Sequence, residues 1–191
     1  LLKHGLLPRF TLLLSGPSGN GKTAIAEALA SELELPFGLV CWSEVIGALV
    51  GETAKNISTV MQQASKEPCV LCFDECDALL CDRSRANRRY EIEDVNEFLR
   101  CLDGFSGTSL LVFTTNFMKT LDRSVMRRIG TQIIVPGPTQ DGLTQLTEKC
   151  LERWPFLRSK PEFWSNPGAS YAEHEEVFKQ AARRMVVEGL I

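Results

Sequence analysis

An apolar run, Phe10–Ser15 (FTLLLS), leads into Gly16-Pro-Ser-Gly-Asn-Gly21-Lys22-Thr23 and then into good helix formers over Lys22–Leu33. This junction constrains the fold more than any other feature of the chain. A run with no polar face reads as a strand buried on both sides. The glycines allow a tight turn. Ile25, Ala28, Leu29 and Leu33 recur at helical spacing in the segment that follows. The same strand-then-helix pattern repeats downstream. Strands are predicted at Pro36–Val40, Val70–Phe73, Leu110–Thr115 and Gln132–Val135. Helices are predicted at Thr53–Ser65, Glu91–Leu102 and, briefly, Asp122–Arg128. The predicted fold class is therefore α/β, a doubly wound, mostly parallel five-stranded sheet. Its ligand site should lie outside the carboxyl ends of the strands.

Pro136-Gly137-Pro138 ends this pattern. Beyond it we predict a helix over Thr139–Trp154, a connector from Pro155 to Gly168, and a helix over Ser170–Glu188 opened by the capping box Ser170-x-x-Glu173. The expected division is a large subdomain over residues 1–137 and a small α-helical lid over 138–191. A chain of 191 residues has room for these two and little else. A net charge of −3 gives no support to a general nucleic-acid or membrane-surface role. No apolar run approaches membrane-spanning length and no signal peptide is visible, so a cytoplasmic location is expected. The chain begins at Leu1 rather than Met, and we expect it to be part of a longer protein.

Cys69, Cys72, Cys76 and Cys81 cluster in sequence and raise the question of zinc. The spacing is poor for it: there is no second C-x-x-C pair, and His4 and His174 are remote. Cys69 and Cys72 are an odd number of positions apart on or beside a strand, so they should face opposite ways. These cysteines read as reduced core residues.

Gly16–Thr23 matches G-x-x-x-x-G-K-[ST] at every fixed position, between a strand and a helix as the chemistry requires. Gly16, Pro17, Ser18, Gly19, Asn20 and Gly21 form a loop whose N–H groups, with the helix N-terminus behind them, face an anion. Lys22 is placed for the β- and γ-phosphates, and the Thr23 hydroxyl for Mg²⁺. The strand Val70–Phe73 delivers Asp74 to the sheet edge, where it can hold the metal directly or through water. Glu75 follows, placed to polarise an attacking water. ATP and Mg²⁺ are the expected ligands.

At this point the sequence resembles the AAA+ ATPases of the central bacterial type, over nearly its whole length. Asp74-Glu75-Cys-Asp77-Ala78-Leu79 is similar to the family's acidic segment, and Thr114-Thr115-Asn116 to its first sensor. Leu121–Arg128 resembles the stretch that carries the arginine finger. The resemblance implies that Asn116 contacts the γ-phosphate and the attacking water. It implies that Arg127 or Arg128 acts in trans on a neighbouring subunit, within a homo-oligomer that forms a ring or spiral. It also implies a protein substrate or partner. Leu49-Val50-Gly51 aligns with the family's pore loop, with Leu49 where an aromatic is usual; a leucine grips a polypeptide less well than a ring. Two further departures are Ala169 or Ser170 in place of the lid arginine, and Ile129-Gly130 after the arginine pair.

Four functions follow as alternatives. The chain is a protein remodeller, an ATP-controlled assembly switch, a nucleic-acid remodeller or loader, or a P-loop kinase or GTPase. Only Arg83, Arg85, Arg88 and Arg89 suggest the third. The acidic pair, the helical tail and the lack of an Asn-Lys-x-Asp segment argue against the fourth.

Overall fold

The computed structural model describes residues 10–41, 45, 52–77, 89–118, 121–161 and 170–188. They fall into two compact units. One comprises Leu1–Gly16 with Lys22–Val135, the other Pro17–Gly21 with Pro136–Ile191.

The first unit is a five-stranded sheet with helices on both faces. Its strands are β1 (Thr11–Ser15), β2 (Phe37–Cys41), β3 (Val70–Asp74), β4 (Leu110–Thr115) and β5 (Thr131–Ile134). They lie in the order β2-β3-β4-β1-β5, and every pairing is parallel. The helices are α1 (Lys22–Glu32), α2 (Glu52–Lys66), α3 (Arg89–Asp103) and the short α4 (Arg123–Met126). The predicted α/β class and strand count hold. The position of β4 between β1 and β3 is what places its carboxyl end between the end of β1 and Asp74.

Alternate strand residues feed two cores. Leu13, Leu71, Phe73, Leu111 and Phe113 pack with Ile57, Met61 and Ala64 of α2 and Phe98 of α3. Phe73 and Phe113 stack at 5.2 Å, with Phe98 edge-on to both. Leu12, Leu14, Val70, Cys72 and Val112 pack against Ala26 and Ala30 of α1 on the other face. Cys69 and Cys72 do face opposite cores. Burial pushes the Cys72 thiol up to about 12, so it stays protonated and inert.

The buried stripe of α1 differs from the expected one. Ala26 and Ala30 meet the sheet with Leu29 beside them, while Ile25, Ala28 and Leu33 are exposed. Small alanines let a helix backbone approach the sheet closely. A helical pattern weighted by large apolar residues therefore points to the wrong face.

The second unit contains α5 (Gln140–Arg153), a 3-10 turn (Pro155–Ser159) and α6 (Tyr171–Val187). Their core is Cys150, Leu151, Leu157, Phe178, Ala181, Ala182 and Met185. Thr139 caps α5 and Ser170 caps α6, each accepting a backbone N–H from three residues on.

His174 is buried in this unit against Phe178. The Thr147 hydroxyl donates to the Leu143 carbonyl, so it accepts from His174 Nε2–H at 2.8 Å. Nδ1 then has no hydrogen-bond partner among the described residues. Burial lowers the His174 pKa below its ordinary 6.5. The unfolded chain therefore binds this proton more tightly, and stability falls as pH drops through about 6.5. Melting curves between pH 8 and pH 5.5 should show a steeper loss in the native chain than in His174→Gln.

Candidate active site

The first unit assembles six of the expected residues at the carboxyl edge of β1, β3 and β4. Gly16 follows β1. Its N–H donates to the Thr115 carbonyl at 3.2 Å, and a Cβ there would lie 2.0 Å from the Val135 carbonyl oxygen. No other residue fits at this crossing. Lys22 opens α1 and is 8% exposed. Its ammonium donates to the Gly16 carbonyl at 2.8 Å and to Asn116 Oδ1 at 2.7 Å. Desolvation lowers the Lys22 pKa, and the nearby carboxylates of Asp74, Asp77 and Glu75 partly offset this.

Thr23 Oγ1 donates to Asp74 Oδ1 at 2.9 Å. Thr114 Oγ1 donates to the same oxygen at 2.6 Å. Glu75 leaves the strand with φ of 53°, in the left-handed region. That conformation costs a non-glycine residue roughly 1–2 kcal/mol, and it is held here by neighbours. The Glu75 N–H donates to Thr114 Oγ1 at 2.9 Å, and the Cys76 N–H to the Thr114 carbonyl at 2.9 Å.

Asp77 braces Asn116. One carboxylate oxygen accepts the Thr115 hydroxyl, and the other accepts the Asn116 N–H at 3.0 Å. The sequence motif marks Asp74, Glu75 and Asn116, but nothing local in it assigns work to Thr114 or Asp77. Only the pairing of β3 with β4 gives them partners. The signal in the sequence was that both sit inside segments already singled out.

The glycine loop, residues 17–21, belongs to the second unit. Gly19 and Gly21 have φ of 74° and 82°, conformations that favour glycine. The Gly19 carbonyl accepts the Ala172 N–H at 3.0 Å, and a Cβ on Gly19 would strike Ser170 Oγ at 2.5 Å. A Cβ on Gly21 would meet nothing within 4 Å, so the loop leaves open space there. A cleft of about 480 Å³ adjoins it, lined by Gly19, Gly21, Gln145, Leu146, Tyr171 and Glu175. That volume suits a small ligand. Asn20 is buried, and its Oδ1 has no partner among the described residues.

The arginine pair separates. Arg128 grips the Asp103 carboxylate with both ends of its guanidinium, each at 2.7 Å, and donates to the Ser124 carbonyl at 2.9 Å. Arg127 is exposed at the end of α4. Ile129 is buried, and the Gly130 N–H donates to Thr11 Oγ1 at 2.7 Å, so the unusual Ile-Gly pair fits its surroundings. Leu49, Val50, Gly51 and Ala169 lie outside the described residues, as do Arg83, Arg85 and Arg88. The side chain of Arg89 is likewise outside them.

Known proteins share this fold. A family profile described as "ATPase family associated with various cellular activities (AAA)" matches residues 12–137. The chain is 34% identical over 188 residues to the uncharacterised AAA family ATPase y4kL of Sinorhizobium fredii, covering 97% of this chain and 57% of that protein. It is 34% identical over 194 residues to the ATP-dependent zinc metalloprotease YME1L1 of Mus musculus, covering 97% of this chain and 27% of that protein. It is also similar to a crystal structure of the FIGL-1 AAA domain in complex with ADP, with a TM-score of 0.73 and 26% identity over 95% of this chain and 63% of that one. Fold and site define the class as a nucleotide-binding P-loop ATPase. Within that class, the chain belongs to the AAA family. It spans only part of these curated relatives. No described helix is long and apolar enough to cross a membrane.

Proposed function

We propose that this chain is the ATP-hydrolysing core of an oligomeric factor that remodels a protein partner or controls its assembly. The observation that carries the reading is the convergence of Lys22, Thr23, Asp74 and Asn116 at one sheet edge, directly continuous in sequence with the glycine loop. The names of relatives point the same way: YME1L1 and FtsH are ATP-dependent proteases.

In this reading the loop N–H groups of residues 18–21 hold phosphate oxygens, and Lys22 exchanges the Gly16 carbonyl and Asn116 for the β- and γ-phosphates. Thr23 and Asp74 supply a hydroxyl and a carboxylate, the hard oxygen donors that Mg²⁺ takes alongside water and phosphate. When bound, Mg²⁺ neutralises charge on the phosphates and the leaving group. Glu75 accepts the proton of the attacking water, and Asn116 orients that water and the γ-phosphate. The subdomain division we propose remains residues 1–137 and 138–191, and the Leu49 loop remains a proposed contact to substrate.

The arginine finger is proposed to come from a neighbouring subunit. Arg127 is exposed at the surface, whereas Arg128 is half-buried and held by Asp103, and this difference in exposure favours Arg127 as the finger. Each arginine variant should be mixed with a Lys22→Met subunit. Arg127→Ala is expected to regain hydrolysis in the mixture, because one hybrid interface pairs an intact site with an intact finger. Arg128→Ala is expected to lower the melting temperature, by about 1 kcal/mol of stability at most. If mixing restored Arg128→Ala and not Arg127→Ala, the assignment would be reversed.

A further inference from the structure

We propose that Thr114 is a positioning residue that sets both acidic side chains of the hydrolytic site. The inference rests on the reading of Asp74 and Glu75 as metal ligand and base. β3 and β4 pair in parallel with Phe73 opposite Phe113. The next residue on each strand is therefore Asp74 and Thr114, side by side at the carboxyl edge. Thr114 is 1% exposed.

Its hydrogen bonds have only one consistent assignment. The Glu75 backbone N–H can only donate, so at 2.9 Å the Thr114 hydroxyl oxygen accepts from it. The hydroxyl has a single proton, and that proton goes to Asp74 Oδ1 at 2.6 Å. The Thr114 carbonyl in turn accepts from Cys76 N–H. One residue thus clamps three consecutive ones as they leave the strand.

Two consequences follow. Asp74 Oδ1 receives two hydroxyls, from Thr23 and from Thr114. This fixes the rotation of the carboxylate that is to meet the metal. Glu75 is held in a left-handed conformation that its own side chain disfavours, and the hydroxyl of Thr114 anchors its N–H. Without that acceptor the N–H loses its partner in the fold, or the turn relaxes and Glu75 moves. A displacement of about 1 Å in a catalytic group is enough to slow the chemistry substantially.

Thr114→Val keeps the shape and removes both bonds, whereas Thr114→Ser keeps the hydroxyl. The test measures kcat, the KM for ATP and the Mg²⁺ concentration giving half the maximal rate. Both variants are compared with the native chain and with Glu75→Gln. Thr114→Val is expected to lose about tenfold in kcat, the scale of one lost charge-assisted hydrogen bond. It should need several-fold more Mg²⁺, with little change in KM, and Thr114→Ser should recover most of both. Thr114→Ala replaces Thr114→Val if the latter does not fold. A native kcat and Mg²⁺ dependence in Thr114→Val, with Glu75→Gln inactive, would overturn the proposal. So would a Thr114→Ser variant as impaired as Thr114→Val. A native rate in Glu75→Gln would instead overturn the base assignment, and the Mg²⁺ dependence would still decide the part played through Asp74.

Discussion

Glu75→Gln is expected to lower the turnover of ATP by about 10²-fold or more, while ATP binding persists. General-base catalysis contributes on the order of 10²–10⁴-fold, and glutamine retains the size of the side chain without its basicity. The binding half of the site is held mainly by other residues, with Glu75 adding the smallest of the three carboxylate contributions at Lys22. Lys22 is held by Gly16 and Asn116, and Thr23 by Asp74. The left-handed turn at Glu75 is anchored through its backbone N–H, which glutamine keeps. The variant should therefore fold as the native chain does, bind nucleotide and stall before cleavage. If assembly follows ATP occupancy, the stalled variant should also be the more oligomeric form. Steady-state phosphate release and size measurement with ATP check the two halves. A native rate of phosphate release would remove Glu75 from the mechanism.

Lys22→Met is expected to act at the opposite step. Removing one partner of a buried, hydrogen-bonded charge pair costs about 2–5 kcal/mol, or roughly 30-fold and upward in affinity. Nucleotide binding should fall by at least that factor, and hydrolysis with it. The effect on folding runs the other way. Desolvation lowers the Lys22 pKa from its ordinary 10.5, so the charged form is better solvated in the unfolded chain. That penalty is fully present below the folded pKa and disappears as pH rises through the unfolded value. Methionine removes the buried charge at neutral pH but gives up the hydrogen bonds to Gly16 and Asn116, each worth about 1 kcal/mol net. Without nucleotide, Lys22→Met should melt within a few degrees of the native chain. With Mg²⁺ and ATP, the native chain should gain stability in proportion to the logarithm of ligand excess, and the variant should not. An equal ATP-induced shift in both would contradict the role given to Lys22.

The parts of this fold that sequence made legible are local ones. An apolar run before a glycine loop marks β1, and the same logic finds β3, which ends in Asp74 with Glu75 next in the chain. Helical spacing finds α2, whose Ile57, Met61 and Ala64 are indeed buried. The buried face of α1 was misread because Ala26 and Ala30 carry little hydrophobic weight, yet they make the closest approach to the sheet. The 3-10 turn at Pro155–Ser159 was seen only as a connector, since a single turn leaves no periodic trace.

What stayed hidden at the site is all non-local. Thr114 meets Asp74 across 40 positions, and Asp77 meets Asn116 across 39. Arg128 meets Asp103 across 25. Such contacts depend on strand order and register, which one sequence does not contain. The motif therefore named the residues proposed to face the ligand, while the residues that hold them in place emerged only with the sheet.

The central claim is that ATP binds along residues 16–23 and is cleaved between Lys22, Asp74, Glu75 and Asn116. Its most direct test is a crystal structure of Glu75→Gln with ATP and Mg²⁺. The predicted result has the γ-phosphate in contact with Lys22 and Asn116, and the metal beside Thr23 and Asp74. A nucleotide bound away from the glycine loop, or a metal with no approach to Thr23 or Asp74, would contradict the account.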